Sequence, residues 1–140
     1  MKLLGIKRVL FGSLKRGDDL YRGLLRVITD AGIKCGAIFV IGALDRINLG
    51  YSNLHSKSYD TVNIEGMFEL TSGMGNITVD ESGDVILHLH IVVQNAAGDT
   101  YAGHVLEGNR VGITAEYIIL EFEGVVERRL DKEMGLKLVP

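Results

Sequence analysis

The chain has 140 residues, a length typical of one domain, and 46% of them are hydrophobic while 24% are charged. The 15 lysines and arginines against 18 acidic residues give a net charge of −3, which argues against nucleic-acid binding by bulk charge. The single cysteine excludes an intrachain disulfide framework and a cysteine-rich metal site. No apolar run is long enough to predict a membrane span, and no signal peptide is recognisable, so we expect a cytoplasmic location.

The first predicted elements are a strand over residues 9–14 and one helix that begins at Leu20. Asp18 and Asp19 stand where helix N-caps are preferred, and Gly32 stands where a helix commonly ends. Helical spacing of the apolar residues supports this prediction. They are Leu20, Leu24, Val27, Ile28 and Ala31.

The remainder of the sequence is typical of β-structure with many glycine-marked turns. Gly36 and Gly42 suggest bulges, Gly73 and Gly75 a sharp bend, and Gly124 a turn between the last two strands. We therefore predict a single α+β domain over residues 1–140, a strongly bent antiparallel or mixed, barrel-like sheet with one main helix packed on it. The predicted strands are 34–48, 59–64 (an edge strand), 68–79, 85–95, 100–106, 113–123 and 125–130.

Two of the four histidines, His88 and His90, lie two residues apart in the strongly apolar segment 85–95. Alternate residues of a strand share a face, so both imidazoles project from one side with Cα atoms about 7 Å apart. The other side is wholly apolar and is predicted to face the core. It carries Leu87, Leu89, Ile91 and Val93.

The turn after this strand predicts a third histidine at the same place. Residues 96–98 fit a three-residue hairpin loop in which Gly98 takes the left-handed position and Asn95 pairs with Asp99. Counting back in that register sets His90 opposite His104, and directly opposed residues point to the same side. A four-residue loop would instead send His104 to the far face unless a bulge intervened.

Three imidazoles with an open fourth position are a common catalytic zinc arrangement. His88, His90 and His104 are therefore candidate ligands of a divalent metal. We favour zinc, although iron, copper, nickel and cobalt also take nitrogen ligands. The alternative is that the three side chains are polar residues on a solvated or interface face of the sheet.

Glu116 is the candidate acid or base, because its strand face is shared with apolar residues and an unpaired buried carboxylate is costly. It could accept a hydrogen bond from a metal-bound histidine, act as a general base on a metal-bound water, or form a salt bridge across a subunit interface. Arg128, Arg129 and Asp131 are interpreted as surface ion-pair residues, and Cys35 as a small buried hydrophobe.

Several segments together resemble the PPC domain, the plant and prokaryote conserved domain, over nearly the whole chain. The most specific part is His88-Leu89-His90 followed by Gly98 and Gly103-His104-Val105-Leu106. The others are residues 12–20, 36–44, 68–77, 114–116 and 128–135.

The resemblance implies an α+β fold with one helix on a bent sheet, assembled as a homotrimer. Its plant members carry separate AT-hook segments that bind DNA, but this sequence has no Arg-Gly-Arg hook core. The histidine pattern is also similar to the metal site of acetolactate decarboxylase, which implies His88, His90 and His104 as metal ligands. Fold analogy does not carry the decarboxylase activity across.

The sequence leaves three classes of function open. One is a metal-dependent hydrolase or lyase acting on a small molecule, with the metal polarising a carbonyl or activating water. The second is a non-catalytic interaction or regulatory module with protein partners, and the third is a DNA-binding protein. Extensive strand edges and apolar faces favour self-association in each case.

Overall fold

The computed structural model describes residues 1–53, 55–56 and 58–140. It contains one helix among eight strands, in keeping with the predicted α+β class. In chain order the elements are β1 (Ile6–Lys15), α1 (Leu20–Asp30), β2 (Gly36–Asn53), β3 (Ser58–Val79), β4 (Val85–Gln94), β5 (Thr100–Val105), β6 (Arg110–Phe122), β7 (Arg129–Asp131) and β8 (Leu136–Leu138).

Six strands form one antiparallel sheet in the order β1-β6-β2-β3-β4-β5. The sheet curves back on itself, because β2 also pairs with β5 through Leu49–Val105 and Gly50–His104. Strands β2, β3, β4 and β5 thus form a partial ring, which confirms the barrel-like prediction. Strands β7 and β8 form a separate two-stranded ribbon.

The predicted helix and its ends are confirmed. The Asp19 side chain accepts a hydrogen bond from the backbone N–H of Arg22, as an N-cap should, and Gly32 adopts a positive φ of 68°. Leu20, Leu24 and Ile28 are fully buried and pack the helix on the sheet. The helix therefore packs against the core side of the sheet and does not cover the other side.

Several strand predictions need correction. Residues 59–64 and 68–79 belong to one strand, β3. Its register shifts between Leu70 and Ser72 against β4, and between Leu70 and Gly73 and between Glu65 and Phe68 against β2. Gly73 therefore borders an irregularity as predicted, whereas Gly75 pairs in register with both neighbouring strands. Gly42 does coincide with a register shift, whereas Gly36 pairs in register with Ile77. Segment 125–130 is not the hairpin partner of β6, because β1 and β2 already occupy both edges of that strand.

Gly75 is required for close approach of two backbones. A Cβ at this position would lie 2.2 Å from the carbonyl oxygen of His88 and 3.0 Å from Cα of Leu89. Since both atoms belong to the backbone of β4, no side-chain rotation could relieve the clash. Gly75 thus allows β3 to run tightly beside the strand that carries the histidine pair.

The bare side of the sheet is apolar and reaches the histidines through one row of directly opposed residues. Ile118 opposes both Phe11 and Phe39, Met74 opposes Phe39, and His90 opposes Met74. Directly opposed residues share a side, so the row forms one surface. We call this row, together with its neighbours Val9, Ile41 and Ile113, the apolar outer face. All seven hydrophobic residues of this face are exposed. They are Val9, Phe11, Phe39, Ile41, Met74, Ile113 and Ile118.

We predict that Gly75→Ala lowers the free energy of unfolding by about 1–3 kcal/mol, the usual cost of overpacking. Urea unfolding followed by circular dichroism measures the change. Gly5→Ala is the matched control, because a Cβ there meets only the flexible carboxylate end of Glu123. Equal stability of Gly75→Ala and Gly5→Ala would contradict the proposed backbone contact.

Candidate metal centre

The β4–β5 hairpin has the predicted three-residue loop. The backbone N–H of Asn95 donates to the carbonyl of Asp99, the N–H of Gly98 donates back to Asn95, and Gly98 has a φ of +92°. The Asn95 side chain also accepts from the backbone N–H of Ala97 and Asp99. This closed loop sets His90 directly opposite His104, as the sequence predicts.

The three predicted histidines converge. One ring nitrogen from each of His88, His90 and His104 lies within 4.8 Å of the other two. Nε2 of His88 is 3.1 Å from Nε2 of His90, and the ring of His104 lies about equally far from both, at centroid distances of 5.1 and 5.4 Å. Among the described residues this is the only group of three or more such side chains within ligand distance.

Burial favours the neutral, ligand-competent form of two of these rings. Burial, with His88, His90 and Arg128 adding positive charge nearby, lowers the pKa of His104 to about 4. Burial, then the charge of Arg128, lowers the pKa of His88 as well. A histidine must lose its extra proton to bind a metal, so these two rings meet that requirement at neutral pH.

Arg128 is the residue at this site that sequence reasoning missed. The sequence predicts a surface ion-pair residue, but Arg128 is 7% exposed and its Nη2 lies 3.3 Å from Nδ1 of His88. Segment 126–128 runs beside the end of β3: the N–H of Val79 donates to Val126, and the N–H of Arg128 donates to Val79. No periodic pattern in the sequence signals this long-range pairing.

Arg128 also determines where His88 carries its proton. A guanidinium donates hydrogen bonds and accepts none, so Nδ1 of the neutral His88 ring is the acceptor. The ring proton then lies on Nε2, from which it is donated to Nε2 of His90. The two rings of β4 are therefore joined by a directed hydrogen bond when no metal lies between them.

The histidines form part of the wall of a cavity of about 650 Å³. Tyr59 stacks on His104, with ring centroids 5.1 Å apart and planes 8° from parallel. Gly50 makes this possible, since a Cβ there would lie 3.0 Å from the Tyr59 ring. The cavity is also lined by Tyr21, Tyr51 and residues of β8. Its volume is sufficient for a small organic molecule.

The residues present fit a divalent transition metal. Imidazole nitrogens suit zinc and its neighbours, whereas calcium and magnesium require oxygen ligands. Tetrahedral Zn–N bonds of about 2.0–2.1 Å separate two ligand nitrogens by about 3.3 Å, and the His88–His90 separation is 3.1 Å. The described lining of the cavity contains no aspartate or glutamate, which leaves a fourth position open to water or a ligand.

Glu116 is not brought to the histidines within one chain. It is exposed on β6 and lines a different cavity with Ile41 and Ile113, while β2 and β3 separate its strand from β4. Its side chain lies on the same side of the sheet as the apolar outer face. A role for Glu116 at the histidine cluster remains a prediction, and it would require a second chain.

The β7–β8 ribbon closes one side of the cavity and is held there by an ion pair. Nζ of Lys137 donates to Oδ2 of Asp80 over 2.6 Å, and the backbone carbonyl of Lys137 accepts from Nη1 of Arg128. The hydrogen bond from Lys137, followed by that from the backbone N–H of Asp84, holds the pKa of the Asp80 carboxyl below its usual range. This pair thus ties the ribbon to the β3–β4 turn.

The Asp80–Lys137 pair predicts an acid-sensitive contribution to stability. A lowered pKa in the folded state means that this contribution is complete above the unfolded aspartate pKa of about 3.9 and disappears as pH falls through the folded value. Asp80→Asn and Lys137→Met should therefore both lose less stability than the wild type between neutral pH and about pH 3. Urea unfolding at the two pH values measures this, and identical losses in all three proteins would contradict it.

No helix in the described part of the chain is long and apolar enough to cross a membrane.

Three solved structures are similar to this chain over nearly its whole length. A metal-containing protein from Archaeoglobus fulgidus is 26% identical, with a TM-score of 0.89 over 100% of this chain and 99% of that one. A plant- and prokaryote-conserved protein from Pyrococcus horikoshii is 27% identical, with a TM-score of 0.91 over 100% and 96%. A candidate DNA-binding protein from Bacteroides thetaiotaomicron is 25% identical, with a TM-score of 0.88 over 99% and 98%.

A search of curated proteins gave no significant match. The family comparison is decisive by contrast, because residues 1–123 match the Plants and Prokaryotes Conserved (PCC) domain. The match covers the helix, the six-stranded sheet and all three clustered histidines. The chain therefore belongs to this plant and prokaryote conserved domain family, abbreviated PCC or PPC.

Proposed function

We propose that the protein holds a divalent metal through His88, His90 and His104. The observation that carries this proposal is the convergence of three imidazole nitrogens within 4.8 Å on the wall of a cavity. The description of the Archaeoglobus fulgidus neighbour as metal-containing supports it. We also propose that these histidines correspond to the metal site of acetolactate decarboxylase, which the sequence pattern resembles.

Zinc is the metal we propose. Three imidazole ligands with a free fourth position are characteristic of catalytic zinc, and the site offers no thiolate that would favour a softer ion. The one cysteine, Cys35, is buried outside the described lining of the cavity. A bound zinc would supply Lewis-acid polarisation of a carbonyl or activation of a water.

The cavity next to the histidines favours a ligand of small-molecule size, and a metal-dependent hydrolase or lyase is the catalytic form of the proposal. In that role His88, His90 and His104 position the metal, while Tyr59 limits the rotation of the His104 ring by stacking. The predicted acid or base, Glu116, lies on the apolar outer face. It could serve this chemistry only where another copy of the chain brings it to the cavity.

An interaction module is the second candidate, supported by the extent of the apolar outer face. DNA binding is the third. The Bacteroides thetaiotaomicron neighbour is described as a candidate DNA-binding protein, but the net charge of −3 provides little attraction for a phosphate backbone. A salt-dependent gel shift with duplex DNA distinguishes this alternative.

We also propose that the chain assembles as a homotrimer through the apolar outer face. Phe11 is 75% exposed and Ile113 63% exposed, and both belong to the apolar outer face. Contiguous exposed apolar surface of this kind is uncommon on monomers and marks an interface. A second copy of the chain is the natural occupant, because the face meets the sheet edge of β1, whose backbone groups need partners.

Metal analysis of untagged protein tests the site. We expect near-stoichiometric zinc in the wild type and its loss in His88→Ala and His104→Ala, because two remaining imidazoles hold zinc far more weakly than three. His55→Ala is the matched control, since His55 is exposed and lies outside the cluster. A wild type that takes up no zinc after reconstitution would contradict the proposal.

Light scattering after gel filtration tests the assembly. We expect a particle of three times the 15.3 kDa chain mass, and we expect Phe11→Glu to dissociate it because a charge would be buried at the interface. Met134→Glu, at an exposed apolar position in the β7–β8 turn, should leave the trimer intact. A monomeric wild type, or equal behaviour of the two variants, would exclude this interface.

A further inference from the structure

Arg128 is a buried cation without a carboxylate partner. Its side chain donates to Oγ1 of Thr78, Oδ1 of Asn76, the backbone carbonyl of Lys137 and Nδ1 of His88, all of them neutral acceptors. Within the described chain no carboxylate lies within 4.0 Å of it. A buried charge that lacks a counter-ion is costly, so an anion bound next to Arg128 would be stabilising.

Other arginines of the protein show the contrast. Arg22, Arg110 and Arg129 are exposed, and each forms a salt bridge with a carboxylate. Those surface salt bridges contribute little to stability because water already screens their charges. Among the arginines in the described part of the chain, the buried Arg128 is thus the one for which a carboxylate partner would contribute most, and it has none there.

The surroundings of Arg128 leave its charge facing the cavity. The described lining holds no acidic residue, and Arg128 and the histidine cluster form one continuous part of the wall. Lys137 also lines the cavity, but Asp80 already neutralises its ammonium group. One positive charge, that of Arg128, thus remains unmatched next to the candidate metal ligands.

The guanidinium retains hydrogen-bonding capacity for a ligand. Of its five N–H donors, four have the acceptors named above, which leaves one on Nη1. When Nε2 of His88 serves as a metal ligand, the neutral ring carries its proton on Nδ1, which then no longer accepts from Nη2. One donor on Nη1 and one on Nη2 then lack a protein acceptor, and the two oxygens of a carboxylate can accept one hydrogen bond from each.

We propose that the cavity binds a small organic carboxylate, with the carboxylate group on the Arg128 guanidinium and the rest of the molecule against the histidine cluster. This assignment rests on the proposed metal function, since it names the class of ligand for that site. A carboxylate fits better than a phosphate because a single unmatched positive charge and two donors balance one negative charge. The cavity volume of about 650 Å³ accommodates a molecule of this class.

The test is an NMR titration of the zinc-free and the zinc-loaded protein with acetate, acetamide and inorganic phosphate at matched ionic strength. The Nε–Hε signal that is absent from Arg128→Lys assigns Arg128 directly. We expect acetate to shift this signal saturably, acetamide to leave it unchanged, and phosphate to bind more weakly than acetate. Zinc content is measured on the same samples.

The variants separate the carboxylate site from the metal site. Arg128→Lys should retain zinc but bind acetate about tenfold more weakly, because lysine offers no planar fork of donors. Acetate binding to this variant is followed by the backbone amide signal of Gly103, which lies in the cavity wall. Arg129→Lys, an exposed change next in the chain, should match the wild type. The proposal would be overturned by any of four results. These are the lack of a saturable shift with acetate, equal binding of acetamide, tighter binding of phosphate than of acetate, and an unchanged acetate affinity in Arg128→Lys. Absence of zinc with acetate binding intact would contradict the metal site and the release of the Nη2 donor by metal binding, while leaving carboxylate binding by Arg128 in place.

Discussion

The register between β4 and β5 is the constraint on which the candidate site depends. The Asn95–Asp99 loop closes the hairpin after three residues, and Gly98 supplies the left-handed conformation that this closure needs. A shift of one residue would move His104 to the opposite face of its strand. The chemistry of the cavity is therefore set by a short loop on the far end of the same hairpin.

Three further features help to form the site that the hairpin positions. Gly75 lets β3 approach β4 closely, and Gly50 leaves space for Tyr59 to stack on His104. The pairing of β2 with β5 places Gly50 directly beside His104 in the cavity wall. These contacts position the histidine rings before any metal or ligand binds, which reduces the cost of ordering the site on binding.

Local patterns in the sequence were enough to predict the helix, its caps, the hairpin loop and the histidine convergence. Each of these depends on residues that are close in sequence and on a periodicity that burial imposes. Arg128 escaped prediction because its position depends on the pairing of segment 126–128 with Val79, which no local pattern encodes. The misassigned partner of β6 has a similar cause, since only the whole sheet shows that β1 and β2 occupy both of its edges.

X-ray absorption at the zinc edge of the reconstituted protein tests the central claim most directly, because it reports the ligands of the metal itself. The arrangement of His88, His90 and His104 predicts a four-coordinate zinc with three imidazole nitrogens at about 2.0–2.1 Å. The outer-shell scattering of three imidazole rings should be present in the wild type and reduced in His104→Ala. An oxygen-only shell without imidazole scattering, or an unchanged spectrum in the variant, would contradict the three-histidine site.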